Sequence, residues 1–263
     1  MKNISGALLA RDSWGKRGLH TSFRNFVGRR ILFAGVFLIS LNLLLSGCSA
    51  TLKQLERFKK GYNAEEYERI AAEEVTCTAD DEGCNQVHLI KGNACLILAK
   101  RSTNEQEQLQ FYSCAADEFD QGIKQTKNWQ LKELDLNRPQ TYENYCQALR
   151  NLQDEQSGTT AIATGERLLA VAEQFQRLEP DHYGAQYFYA LARFRKILPD
   201  LIEGDPAKSA QLCEELNSIL NDLNQTVSEA MQNPTTEWQR YERNFGDLKA
   251  KIKLEKEGLE NCA

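Results

Sequence analysis

Trp238, Tyr241, Phe245, Leu248 and Ile252 step by 3, 4, 3 and 4 with charged residues between them, the spacing of one apolar stripe on an α-helix. The same period recurs from residue 52 onward, and no stretch there alternates strictly as a half-buried strand does. Only 16 Gly and 5 Pro occur in 263 residues, too few turn-formers for a many-stranded sandwich or barrel. A charged fraction of 26% is too high for a multispanning membrane protein. The body is expected to be all-α.

Boundary signals divide it. Asn233-Pro234 and Asp205-Pro206 each offer an N-cap followed by Pro at the first helical position, where the missing N–H costs nothing. The second precedes Leu212, Leu216, Ile219, Leu220, Leu223 and Val227. Leu168, Leu169, Ala172, Phe175 and Leu178 predict a helix from near Ala161, stopped by Pro180. Another runs from Tyr183 to Phe194. Residues 84–126 predict an antiparallel pair, Val87 to Ala99 and Leu109 to Ile123, around Ser102-Thr103-Asn104; residues 140–154 add Tyr142, Tyr145, Cys146 and Leu149. The best linker candidate, EQSGTT at 155–160, is too short to separate domains.

The join LEPDHYGAQYFYALARF resembles a tetratricopeptide-repeat junction. In that pattern a Pro ends one repeat, and the next opens with an aromatic followed by small and large apolar residues. The resemblance implies a degenerate tetratricopeptide-like superhelix of antiparallel helix pairs, about three to four repeats long, although no strict period of about 34 residues survives. An unrelated irregular bundle is the competing architecture. Aligned this way, Tyr187, Ala190, Leu191 and Phe194 are packed, and the small Ala190 lets paired helices approach. Phe188 and Arg195, seven apart and so on one face, would line a partner-binding groove, since aromatic and Arg side chains dominate binding hot spots. A register shifted by one would bury Phe188 instead.

The first fifty residues read as an address. Arg29-Arg30 precede ILFAGVFLISLNLLL, Ile31 to Leu45, which at helical rise reaches about 22 Å, short of the ~30 Å hydrocarbon core. That is signal-peptide length. Leu45-Ser46-Gly47-Cys48 then resembles the lipobox of bacterial lipoproteins, which implies cleavage after residue 47 and acylation of Cys48. Residues 1–47 would be the signal peptide and 48–263 one helical-repeat domain tethered to the membrane, an anchor that several acyl chains make firm. Ser49 stands where an Asp would resemble an inner-membrane retention signal, so the expected place is the periplasmic face of the outer membrane. An uncleaved anchor is the alternative. About thirty residues precede the apolar run, more than is usual, and Arg29-Arg30 lacks the wider twin-arginine consensus.

Charge excludes a class of partner. Beyond residue 47 there are 25 bases against 36 acids, a net of −11, and such a surface repels phosphate backbones. Nucleic acid is not an expected partner.

Of the 8 cysteines, seven remain once Cys48 is acylated, an odd number that leaves at least one unpaired. In an oxidising periplasm the rest tend to pair. Candidate bridges are Cys77 with Cys84 across the turn ADDEG, Cys95 with Cys114 between consecutive helices, and Cys213 with Cys262 fastening the last helix; spacing alone cannot establish the geometry. Cys77, Cys84, His88 and Cys95 also offer four zinc ligands. Cys84 and Cys95 would lie about 16 Å apart along one helix, too far for one ion, so no metal is expected. Haem has no CxxCH, and no cofactor is expected.

The mature body holds His88 and His182, with no GxSxG, HExxH or phosphate-binding glycine loop. Its carboxylates mostly sit on helix surfaces, as at Glu214-Glu215. Helical lytic enzymes of the cell wall use one Glu, but nothing singles one out, and the chain is read as a non-enzyme. The expected function is a lipid-anchored interaction scaffold with an envelope protein partner in assembly or regulation. The alternative rests on a resemblance in leader, length and irregular repeats to the T-component lipoproteins of TRAP transport loci, and implies handling of a small hydrophobic or acidic solute. The oligomeric state is left open.

Overall fold

The computed structural model describes residues 50–127, 129, 137–259 and 262. The expected signal peptide, residues 1–47, and the expected acylation site Cys48 lie outside the described residues. Within them the chain is helical without strands: α1 (50–63), α2 (Tyr67–Ala72), α3 (Cys84–Arg101), α4 (Glu105–Gln125), α5 (Arg138–Asp154), α6 (Gly158–Leu178), α7 (Tyr183–Glu203), α8 (Ser209–Gln232) and α9 (Thr236–Glu257).

Local chemistry sets these ends. The side chains of Asn104, Asn137 and Thr235 accept hydrogen bonds from the backbone N–H three residues on, capping α4, α5 and α9. The last cap corrects the expected start at Asn233: Thr235 reaches the Trp238 N–H at 3.1 Å, and Pro234 precedes the helix. Asp205 instead caps a short 3₁₀ turn, Pro206–Lys208, that leads into α8. The linker candidate at 155–160 shrinks to three residues, because α6 begins at Gly158. α7 runs on through Pro199 and ends at Gly204, whose φ of 69° only glycine adopts cheaply.

Which residues meet reveals the direction of each helix. Asn85 bonds Thr126, His88 lies against Glu118, and Cys95 bridges Cys114, so one number rises as the other falls and α3/α4 is an antiparallel hairpin. Tyr142 with Phe175 and Tyr145 with Arg167 describe α5/α6 in the same way. Asp200 with Lys208 and Arg193 with Asp222 describe α7/α8. Between hairpins the numbers rise together. Asn93 bonds Asn144 and Lys100 bonds Gln147. Glu143 faces His182 and Gln153 bonds Arg195. Tyr183 meets Trp238 and Tyr187 meets Tyr241. α3, α5, α7 and α9 therefore run parallel, each beside the next, with a returning helix after each of the first three.

The core follows this layer. Val87, Leu89, Ile90, Ala94, Leu96 and Leu98 point around nearly the whole of α3 and all are buried, the pattern of a helix covered on every side; α2, α4 and α5 do the covering. Phe119, Tyr142, Tyr145, Phe175 and Phe245 are fully buried and carry much of the core's apolar area. Arg167 of α6 ties three helices, donating to Tyr145 Oη, Asp117 Oδ1 and the Ala116 carbonyl, each at 2.9 Å.

Three cysteine pairs stand at disulfide distance: Cys77–Cys84, Cys95–Cys114 and Cys213–Cys262, with Cα separations of 5.7, 6.0 and 5.5 Å. These are the pairs the sequence suggested. The seventh, Cys146, is buried and unpaired, and burial pushes its thiol pKa far up, which makes it a poor nucleophile. Loop-closure entropy grows with the 7, 19 and 49 residues spanned. Replacing each pair by serine should thus cost about 2, 3 and 4 kcal/mol respectively. Urea melts of the three double variants check the order, and trapping with a thiol reagent should find Cys146 reactive only after unfolding.

Candidate functional site

Phe188 and Arg195, the expected groove residues, are both occupied within the fold. Phe188 is 6% exposed, and its ring packs edge-on to Tyr187. Arg195 turns toward the end of α5, donating to Gln153 Oε1 at 2.9 Å and pairing with Asp154. The expectation is corrected: Arg195 joins α7 to α5, and Phe188 is buried in the core rather than facing a partner. Tyr187, Ala190, Leu191 and Phe194 are buried, as expected.

The open face of α7 lies one residue further on. Tyr189 and Lys196, again seven apart, line a groove of about 390 Å³ between α6, α7 and α8. Leu169, Ile197 and Leu212 supply its apolar lining, and Glu173, Arg193, Asp200, Lys208 and Glu215 its charged groups. The turn after α7 builds one end. Gly204 closes the helix, the Asp205 cap starts the reversal, and Lys208 reaches back to Asp200 at 2.6 Å and Glu203 at 3.3 Å.

Most of this charge is already matched. Arg193 donates to Asp222 at 2.7 Å and to Glu215 and Ser218 at 2.9 Å, and lies over the Tyr189 ring. Burial works against its positive charge, but Glu215 and Asp222 outweigh it and hold the guanidinium pKa above the ordinary value. Lys208 is likewise raised by its bonds to Asp200 and Glu203. Glu173 pairs with Arg177 at 3.2 Å. Among the described residues Lys196 is the lining cation with no ion pair. An exposed ammonium without an ion pair, in a groove that also holds an aromatic ring and aliphatic side chains, suits a carboxylate carried near an apolar group.

A polar cluster fixes α7 from its other end. Glu143 of α5, 5% exposed, accepts from Arg240 of α9 at 3.0 Å and from Gln140 at 3.2 Å. His182, just before α7, stands between two carboxylates: Nε2 lies 3.7 Å from Glu143 and Nδ1 3.1 Å from Glu237. Glu237 also accepts from the Tyr183 N–H at 2.7 Å. The Tyr241 phenol pKa is driven far up, by burial first and then by Glu143, so it stays protonated; burial, with a smaller push from Cys146, raises Tyr142 to about 12 against the opposing charges of Arg138 and Arg177. The sequence carried one signal of this cluster, a carboxylate at Glu143 inside the apolar stripe of Tyr142, Tyr145 and Cys146.

Gly184 is what lets the cluster close. A Cβ there would come within 2.6 Å of Glu143 Oε1, 2.7 Å of Tyr241 Oη and 3.0 Å of His182 Nδ1. Gly184→Ala should destabilise by about 1–3 kcal/mol through overpacking, even though alanine is the better helix former by about 1 kcal/mol. Calorimetry reads this as a lower melting temperature.

Among the described residues no helix is long and apolar enough to cross a membrane. In comparison with known proteins, no family model, curated protein or solved structure matches the chain.

Proposed function

We propose that this chain is a lipid-anchored scaffold of the bacterial envelope, a tetratricopeptide-like superhelix that presents its α6/α7/α8 groove to a protein partner. The observation that carries the reading is the packing order. Hairpins whose first helices run parallel and side by side, each touching its neighbours, are the arrangement from which helical-repeat proteins build extended binding surfaces. The groove gives that surface its chemistry, an acidic and apolar segment of the partner laid against Lys196, Tyr189 and Leu212.

The leader supports the location. LSGC closing a basic and then apolar run places acylated Cys48 in the membrane, with Ser49 favouring the outer membrane and the body in the periplasm. Cys48→Ser should then accumulate unprocessed precursor and abolish incorporation of a fatty-acid analogue. Unchanged processing and labelling would remove the anchor from the proposal.

The groove is tested separately. On Tyr189→Ala with Lys196→Glu, a partner recovered from envelope extracts with the wild-type protein should bind at least tenfold more weakly, while circular dichroism still shows the native helical content and a cooperative melt. Two lost hot-spot contacts account for such a drop. Equal binding by the variant rules out this groove. A second reading, solute handling of the TRAP T-component kind, is favoured by the groove's volume of about 390 Å³, within the range of small-molecule sites. Native mass spectrometry of the purified chain distinguishes the two: a small acid retained by the wild type and lost with Lys196→Glu replaces the protein partner.

A further inference from the structure

Three atoms that bind soft metals converge at the start of α3. The sulfurs of Cys77 and Cys84 and a ring nitrogen of His88 all lie within 4.8 Å of one another. Among the described residues no other trio of His, Cys, Asp or Glu meets this spacing. Cys95, which the sequence placed in the same candidate set, stands apart in its pair with Cys114.

The convergence does not depend on the disulfide alone. Cys84 opens α3 and His88 follows one turn later on the same face. The loop that returns Cys77 is tied by its own bonds: Asp81 accepts from the Thr78 N–H at 2.8 Å and hydroxyl at 3.1 Å, and Gly83 takes a φ of 84°. Opening the S–S bond would leave both sulfurs held near the imidazole. His88 is oriented from behind, with Nδ1 2.6 Å from Glu118 Oε2, while Lys91 anchors the other oxygen of Glu118 at 3.1 Å. A carboxylate on one ring nitrogen fixes the imidazole and makes the other nitrogen a better ligand, the arrangement behind most metal-binding histidines.

We propose that Cys77, Cys84 and His88 form a redox-gated site for a thiophilic d¹⁰ cation, Zn²⁺ or Cu⁺, closed as the disulfide and opened by a dithiol reductant. The reductant's first thiolate attacks the half-buried Cys77 sulfur and the electron pair of the broken bond leaves on Cys84, at the amino end of α3, where a thiolate is favoured. Its second thiol displaces Cys77 and closes the reductant's own disulfide. Two electrons and two protons thus pass from reductant to cysteines. The cation then displaces those two protons, binding two thiolates and the neutral imidazole. Two sulfurs and one nitrogen complete a trigonal Cu⁺ site, or a Zn²⁺ site with a fourth position for water.

The test uses the full chain before and after reduction with a phosphine, which is then removed. Co²⁺, standing in for Zn²⁺, is followed by its thiolate charge-transfer band, and Cu⁺ by competition with a chromogenic chelator. The reduced protein should take up one equivalent with the band or the chelator loss that marks thiolate ligation, and the oxidised protein none. Cys95→Ser with Cys114→Ser should retain binding. His88→Ala, which keeps every thiol and is checked for helicity by circular dichroism, should bind at least tenfold more weakly, and Glu118→Gln about 10–100-fold more weakly. Equal affinity for wild type and His88→Ala, retention by Cys77→Ser with Cys84→Ser, or no uptake after reduction would each overturn the site. The tighter of the two ions identifies its cation.

Discussion

A polar group taken out of water has to find a partner, and in this chain that requirement sets how one hairpin sits on the next. Apolar faces would allow the odd-numbered helices to slide against each other at little cost. Asn93 with Asn144, Glu143 with Arg240, and Arg195 with Gln153 and Asp154 do not. Each bond joins a different pair of parallel helices at one register, and a shift by a turn would leave Glu143 buried without its cation and the half-buried Asn93, Asn144 and Arg195 without these partners. Arg167 does the same for the returning helices by reaching α4 and α5 from α6.

The groove beside α7 depends on that register. α5 meets α7 at Arg195 and Phe188 is buried in the core, so the side bearing Tyr189 and Lys196 is left to α6 and α8. Those helices cover it incompletely because the turn from Gly204 to Lys208 brings α8 in with charged residues facing α7. Arg193 and Lys208 then bridge the gap through ion pairs instead of filling it with apolar side chains. What stays open is a cleft with apolar residues between matched charges.

Much of this was readable from residue spacing. The stripe from Trp238 to Ile252 is buried at every one of its five positions, and those from Leu212 to Leu223 are as well, because burial of a single face obeys helical period. The paired cysteines were legible for a related reason: partners near in sequence on adjoining elements have few other choices. Helix starts were less so, since Asn233 and Thr235 are both good caps and only packing of Trp238 decides between them. Phe188 illustrates what spacing cannot decide. On α7, Tyr187, Phe188 and Tyr189 are consecutive aromatics, and which of them faces solvent depends on where α5 lies, a contact with residues some forty positions away. The polar cluster at Glu143 was hidden likewise, its members drawn from α5, α9 and the loop before α7.

The odd cysteine has a consequence for how the molecule is made. Ribosomes deliver a chain amino end first, and the first two thiols of the body to appear, Cys77 and Cys84, are partners, as are the next two, Cys95 and Cys114. Oxidation of neighbours in order of appearance is correct up to that point. Cys146 arrives next, and the following thiol, Cys213, belongs to Cys262. Once α5 has packed, Cys146 is buried and its thiol pKa is pushed up, so packing withholds it from the later pair. Burial of that one thiol thus guards the pairing of the others, and a variant that exposes Cys146 would betray itself by scrambled isomers.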